Sequence, residues 1–333
     1  NYLFNKNIMS NRILNWKRQP EDSRDFITKR PLKVTNLELP SKFELPLQIP
    51  VYDQGNIGSC TSNSGCACFR FESAQVLGNF GFDPSRLFLY YTTREIEGTT
   101  DEDAGAYIRD VFKALNKTGV SLEQTWPYIE NKFSTKPTKS AYDEGLKNIA
   151  IEYAAVPKTS SSIKQTLLAG GAISFGFDVY QSFMGSWERT GGKMPNPNTS
   201  KEYLLGGHAV TIIGWDDTKF GSTYYLIQNS WGTGWGNQGK FWMSEEFLLS
   251  NSCADFWVIE RISHTAPNPV PDPNPTPIND AASFAKSIFA NTNELGKLQE
   301  SSLVKLGTIL GLDVNISYTK KKNLSIVSKF LFD

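Results

Sequence analysis

The chain has 333 residues, with 34 lysines and arginines against 34 aspartates and glutamates, and 13% aromatic residues. That balance leaves no global basic field to draw in nucleic acid or an anionic membrane, and the apolar content excludes a wholly disordered chain. No apolar run reaches the roughly 18 residues that a membrane helix needs, and the opening residues 1–9 are too short and too interrupted for a signal peptide.

Taken in order, residues 1–45 are polar and punctuated by Pro20, Pro31 and Pro40, with Pro46 directly after. No long helix survives that spacing, so this segment reads as an extended, wrapping, propeptide-like arm. Residues 46–264 carry the dense apolar patterning. Helices are expected from Ser59 or Cys60 to about Val76, from about Pro84 to Ile96, and from about Ala104 to Asn116, the last stopped by Gly119. Ser161 and Ser162 suit the cap of a short helix ending before Gly170. The second half turns to β-branched and aromatic runs at residues 172–179, 208–215, 224–228, 240–243 and 255–262. Helices first and strands second imply an α+β protein with segregated halves and a cleft between them. Residues 265–278 hold proline at nearly every second position and read as a polyproline-II linker. Residues 279–333 form a tail with a modest helical pattern over 284–306, followed by Lys320, Lys321 and Lys322 and a closing Phe330-Leu331-Phe332.

The four cysteines are Cys60, Cys66, Cys68 and Cys253. On a helix Cys66 and Cys68 point about 200° apart, which does not make a metal clip, and no metal or cofactor is expected. Both are read as buried structural thiols. Cys60 differs because of what precedes it. In Val51-Tyr52-Asp53-Gln54-Gly55-Asn56-Ile57-Gly58-Ser59-Cys60 two glycines allow sharp turns that set Cys60 at a helix start, where unpaired N–H groups favour a thiolate. The Gln54 amide can turn back beside the Cys60 N–H to form an oxyanion hole. His208, in Gly206-Gly207-His208-Ala209-Val210, sits at the mouth of an apolar strand and is the imidazole available as a base, since the other, His264, lies beside the linker. Asn229, in Gln228-Asn229-Ser230-Trp231-Gly232-Thr233-Gly234-Trp235-Gly236, can fix the imidazole, with Trp231 and Trp235 shielding that bond from water.

These three segments resemble the papain-like cysteine peptidases, with the order and spacing of that family: His208 follows Cys60 by 148 residues and Asn229 follows His208 by 21. The resemblance covers about residues 46–262. It is closest to bacterial and large-virus-type members that read VYDQG–GSCT, with Arg24-Asp25-Phe26 in the arm and Pro84-Ser85-Arg86-Leu87-Phe88 after the first helix. It implies a helical subdomain and an antiparallel, barrel-like subdomain facing each other across the cleft. It also implies a cysteine endopeptidase with Cys60 as nucleophile, His208 as base and then acid, Asn229 as orienter and Gln54 as oxyanion donor. A polypeptide substrate would lie along Gly105 and Ala106, beside Gly176 and Gly207 and close to Trp231. The resting pair would be a thiolate and an imidazolium.

Two departures matter. The family often has a disulfide cysteine where this chain has Ile57, and a tryptophan where it has Thr61. Without that disulfide, a cytoplasmic or virion-associated location is expected over a secreted one. The arm or the tail is a candidate to lie in the cleft and keep the enzyme latent. Other classes on this scaffold are a non-catalytic peptide-binding module and an acyltransferase.

Overall fold

A computed structural model describes residues 12–30, 39–46, 49–77, 82–185, 191–264 and 319–332. The expected linker at 265–278 and the helical pattern over 284–306 lie outside these residues. The chain divides into two units, Asn1–Pro269 and Val270–Asp333. In the second, Lys320–Phe332 form one helix, so the lysine run and the closing apolar triplet belong to a single element.

The first unit puts helices in its first half and a sheet in its second, as the resemblance implies. Helix α1 (Cys60–Leu77) is followed by α2 (Arg86–Glu97), α3 (Ile108–Lys117) and α4 (Lys139–Gly145). Ser85 caps α2 through the Phe88 N–H, and Gly98 ends it in the left-handed conformation. Arg86 lies between the rings of Tyr52 and Tyr128 and pairs with Glu123 at 3.1 Å. The Pro84–Phe88 segment therefore ties α2 to the loop that leads to Cys60. Helix α3 begins later than the sequence pattern predicts. Residues 104–107 stay outside the helix because Gly105 takes a left-handed backbone and Ala106 bridges to Trp16 in the arm. The short helix α5 (Ser160–Leu168) is capped by Thr159, two residues before the first of the expected serines.

The sheet comprises β1 (Lys42–Glu44), β2 (Asn148–Ala155), β3 (Ile173–Tyr180), β4 (Leu204–Asp216), β5 (Tyr224–Gln228), β6 (Lys240–Ser244) and β7 (Cys253–His264). All pairings are antiparallel, in the order β2-β7-β3-β4-β5-β6, with β1 on β4. Strand β2 is absent from the sequence reading. Its alanines argue against a strand locally, and its pairing along β7 overrides that preference.

Helix α1 is buried along nearly its whole length, between α2 and α3 on one side and the sheet on the other. Its small polar residues make this possible. Ser64, for example, reaches Ser174 Oγ, the Val210 carbonyl and Thr211 Oγ1 within 2.9 Å, so this hydroxyl meets the sheet with its hydrogen bonds satisfied. The start of this helix is thereby fixed against the strand that carries His208.

Candidate active site

Cys60 opens α1, His208 stands in β4, and Asn229 directly follows β5. Strands β4 and β5 are paired neighbours, with Thr211 opposite Gln228, and this register brings the imidazole to the amide. The His208 Nε2–H donates to Asn229 Oδ1 at 2.7 Å, and the Ser230 N–H donates to the same oxygen at 2.8 Å. Two donors on one oxygen fix the amide's orientation, which fixes the histidine tautomer. Nδ1 is left as the ring's basic nitrogen, and it is buried with no hydrogen-bond partner among the described residues. The Trp231 ring covers the imidazole at 4.9 Å between centroids, with Trp235 packed edge-on behind it.

The Gln54 amide is held at both ends. Ser230 Oγ donates to its Oε1 at 2.8 Å, and its Nε2 donates to the Ile57 carbonyl at 3.1 Å and faces the Ile13 carbonyl at 3.4 Å. The nitrogen is thus shared between a carbonyl of its own loop and one of the arm.

The cleft is filled by the chain's own arm. Arg12 donates to Asp53 at 2.6 Å and to the Gly55 carbonyl at 2.9 Å, with its guanidinium over Trp231. Asn15 bridges to Gly207 and Trp16 to Ala106, both in parallel sense, and the Trp16 N–H donates to the Gly207 carbonyl at 2.9 Å. The indole of Trp16 enters a slot walled by Gly176 and Gly207. A Cβ on Gly176 would stand 1.9 Å from Trp16 Cε2, and one on Gly105 would stand 1.9 Å from the Asn15 carbonyl oxygen. At the end of the slot, Trp16 Nε1 and the Gln19 N–H each donate to Asp255 Oδ2 at 3.0 Å. Burial pushes the Asp255 carboxyl up to about 6 against the pull of those donors. Gly105, Ala106, Gly176 and Gly207, expected to meet substrate, therefore meet Asn15 and Trp16. The sequence reading did not single out Trp16, Arg12 or Asp255. A lone tryptophan in a polar, proline-punctuated arm was the available signal.

This occupancy bears on the expected thiolate–imidazolium pair. Cys60 and His208 are both fully buried. Burial pushes the Cys60 thiol up to about 11, against backbone donors at Ala209, Asn15, Thr61 and Cys60 itself. Burial also brings His208 down to about 4, with the nearby Arg12 charge adding to the drop and Asn229 opposing it. Under the arm, burial therefore disfavours the charged form of each group. The helix start favours the thiolate, but removal of water outweighs it. The Asn15 main-chain N–H is one of the donors to the sulphur.

All four cysteines are free and buried, and Ile57 is packed in the core.

Residues 47–254 match the model of the papain family of cysteine proteases. An uncharacterized peptidase C1-like protein of Acanthamoeba polyphaga mimivirus is 37% identical over 239 residues, covering 69% of this chain and 75% of that protein. A cathepsin B-like protein of Giardia intestinalis is 28% identical over 230 residues, covering 63% and 68% of the two chains. Among solved structures, xylellain, a cysteine protease from Xylella fastidiosa, superposes with a TM-score of 0.68 at 34% identity over 77% of this chain and 97% of its own. A procathepsin B from Trypanosoma congolense shares the fold, with a TM-score of 0.59 at 17% identity over 75% and 86% of the two chains. With its helical and sheet halves and its cysteine, histidine and asparagine drawn together between them, the chain belongs to the papain family and is a cysteine peptidase.

Proposed function

We propose that Cys60 is the nucleophile of this peptidase, that His208 is its base and acid, and that residues 12–19 keep it latent by lying in the cleft. The observation that carries the reading is the Asn229–His208 bond through Nε2, which leaves Nδ1 without a partner to serve the thiol.

With the arm displaced, water returns, and the proton of Cys60 passes to His208 Nδ1. The thiolate attacks a peptide carbonyl carbon, forming a carbon–sulphur bond. The oxyanion is met by Gln54 Nε2 and the Cys60 N–H. The tetrahedral species collapses, and His208 hands its proton to the departing amine. Water, deprotonated by the now neutral His208, adds to the thioester, and the thiol leaves with the acid product released. Gly105, Ala106, Gly176 and Gly207 offer the extended substrate the surfaces now used by Asn15 and Trp16, and Trp231 keeps the imidazole bond dry. The arm is a poor substrate in its present pose, because the sulphur meets the Asn15 N–H.

Cys60→Ala is expected to lower turnover of a fluorogenic peptide by about 10⁴-fold or more, as for other removed nucleophiles, with the fold intact by circular dichroism. Retained turnover would sink the assignment.

A further inference from the structure

The loop from Gln54 to Cys60 carries the nucleophile and both oxyanion donors of the proposed acylation, yet the residue before Gly58 is Ile57, where related sequences often place a disulfide. Something else must hold this loop at a fixed distance from the opposite wall of the cleft. Its backbone donors show what does. The Gly58 N–H points between the two carboxylate oxygens of Asp103, at 2.9 Å from each. The Tyr90 hydroxyl donates to Asp103 Oδ1 at 2.5 Å and accepts the Gly105 N–H at 3.1 Å. Two side chains thus connect the backbone two residues before Cys60 to the edge at Gly105–Ala106 on which a peptide lies.

The anchor is itself rigid. Tyr90 is fully buried in α2. Arg94, also fully buried one turn later, stacks its guanidinium 3.9 Å from the Tyr90 ring centroid. It donates to the carbonyls of Thr100 and Glu102 at 2.9 and 2.7 Å, which shapes the turn just before Asp103. The Asp103 carbonyl accepts the Asn15 side-chain amide at 2.8 Å, so the same residue also touches the arm that occupies the cleft.

We propose that Asp103 is a positioning residue whose carboxylate, in place of a disulfide, sets the spacing between the Gln54–Cys60 loop and the peptide-binding edge. The proposal rests on the reading of Cys60 as nucleophile. Charge-assisted hydrogen bonds suit the task because they are short and directional and do not depend on the redox state of the surroundings. The consequence is specific. Loss of Asp103 should misplace the oxyanion donors more than it disturbs the thiol's own reactivity, because a shift of about 1 Å in donor position is felt in the transition state first.

The test uses the full chain carrying Trp16→Ala, so that the arm does not mask the rate, with Cys60→Ala as a control in the same background. In Asp103→Ala we expect kcat to fall about 30-fold, less than the roughly 10²–10³ of a deleted oxyanion donor because the donors are displaced and not removed, with KM and the rate of Cys60 alkylation by iodoacetamide each within about threefold. Asp103→Asn keeps an acceptor for both donors and is expected to restore kcat to within about fivefold. Should Asp103→Ala not fold, Tyr90→Phe carries the test, with at least about a fivefold loss of kcat and unchanged alkylation. The proposal is overturned by an unchanged kcat in Asp103→Ala, by turnover and alkylation falling together, or by asparagine performing no better than alanine. An active Cys60→Ala control would instead overturn the underlying reading.

Discussion

The front of the arm, residues 12–19, attaches by main-chain hydrogen bonds, one indole in a glycine-walled slot and ion pairs with at least one half-exposed partner, such as Arg18 to Asp178 at 3.5 Å. Its rear, residues 22–30, is built into the fold. There Phe26 and Thr28 exchange main-chain hydrogen bonds with Ala155, and Asp25 pairs with Arg109 at 2.5 Å. Arg30 is buried and reaches Glu72 at 2.6 Å and the carbonyls of Ala169 and Ile259. The difference teaches that one continuous polar segment serves two purposes. Under the proposed latency the front is the part that gives way to substrate, while the rear is bonded into the fold through Ala155, Arg109 and Glu72. A cut at residue 45 would remove both and confuse latency with stability, whereas a change confined to the front separates them.

The comparison can be broken most forcefully at the thiol. With Cys60 pushed up to about 11 under the arm, on the order of one molecule in 10⁴ holds a thiolate at pH 7. Alkylation of Cys60 by iodoacetamide in the full chain should therefore rise nearly tenfold per pH unit from 7 to 10. In Trp16→Ala the rewetted pair can ionise together, and most of that slope should vanish. The same slope in both would mean that the front of the arm does not control the pair. Next in size is Arg30→Ala, which removes the rear's buried ion pair. A loss of about 3 kcal/mol is expected, seen as a lowered denaturation midpoint, with peptide turnover still suppressed. A rise in turnover at unchanged stability would reverse the roles given to front and rear. The smallest effect concerns His264, which ends β7 opposite Asn148. His264→Ala should leave turnover within about twofold, in the range of substitutions away from named interactions. A dead variant would contradict the choice of His208 as base.

Much of the candidate site was legible because its chemistry is local. Gln54, the two glycines and Cys60 lie on one loop, and His208 and Asn229 each sit beside their own glycine or tryptophan signals. Strand β5 is also where the sequence puts it, since its five residues are all buried and its ends are marked. What was not legible depends on distant partners. Trp16 gains its meaning from Gly176, Gly207 and Asp255, the last 239 residues away. The shift of Cys60 and His208 toward their neutral forms comes from burial, which no motif around either residue encodes. Asp103 looks like an ordinary turn acid until the Gly58 N–H is found against it. The late start of α3 has the same origin, because the arm claims Ala106 as a strand partner before the helix can claim it.

The central claim is that the front of the arm holds an otherwise competent cysteine peptidase latent, and Trp16→Ala in the full chain tests it most directly. Removing a buried tryptophan forfeits about 3 kcal/mol or more of docking, enough to shift the docking equilibrium about 100-fold. Turnover of a fluorogenic peptide at neutral pH should rise at least about tenfold, with the denaturation midpoint little changed. Turnover equal to or below that of the unaltered chain, in a protein equally folded, would contradict it.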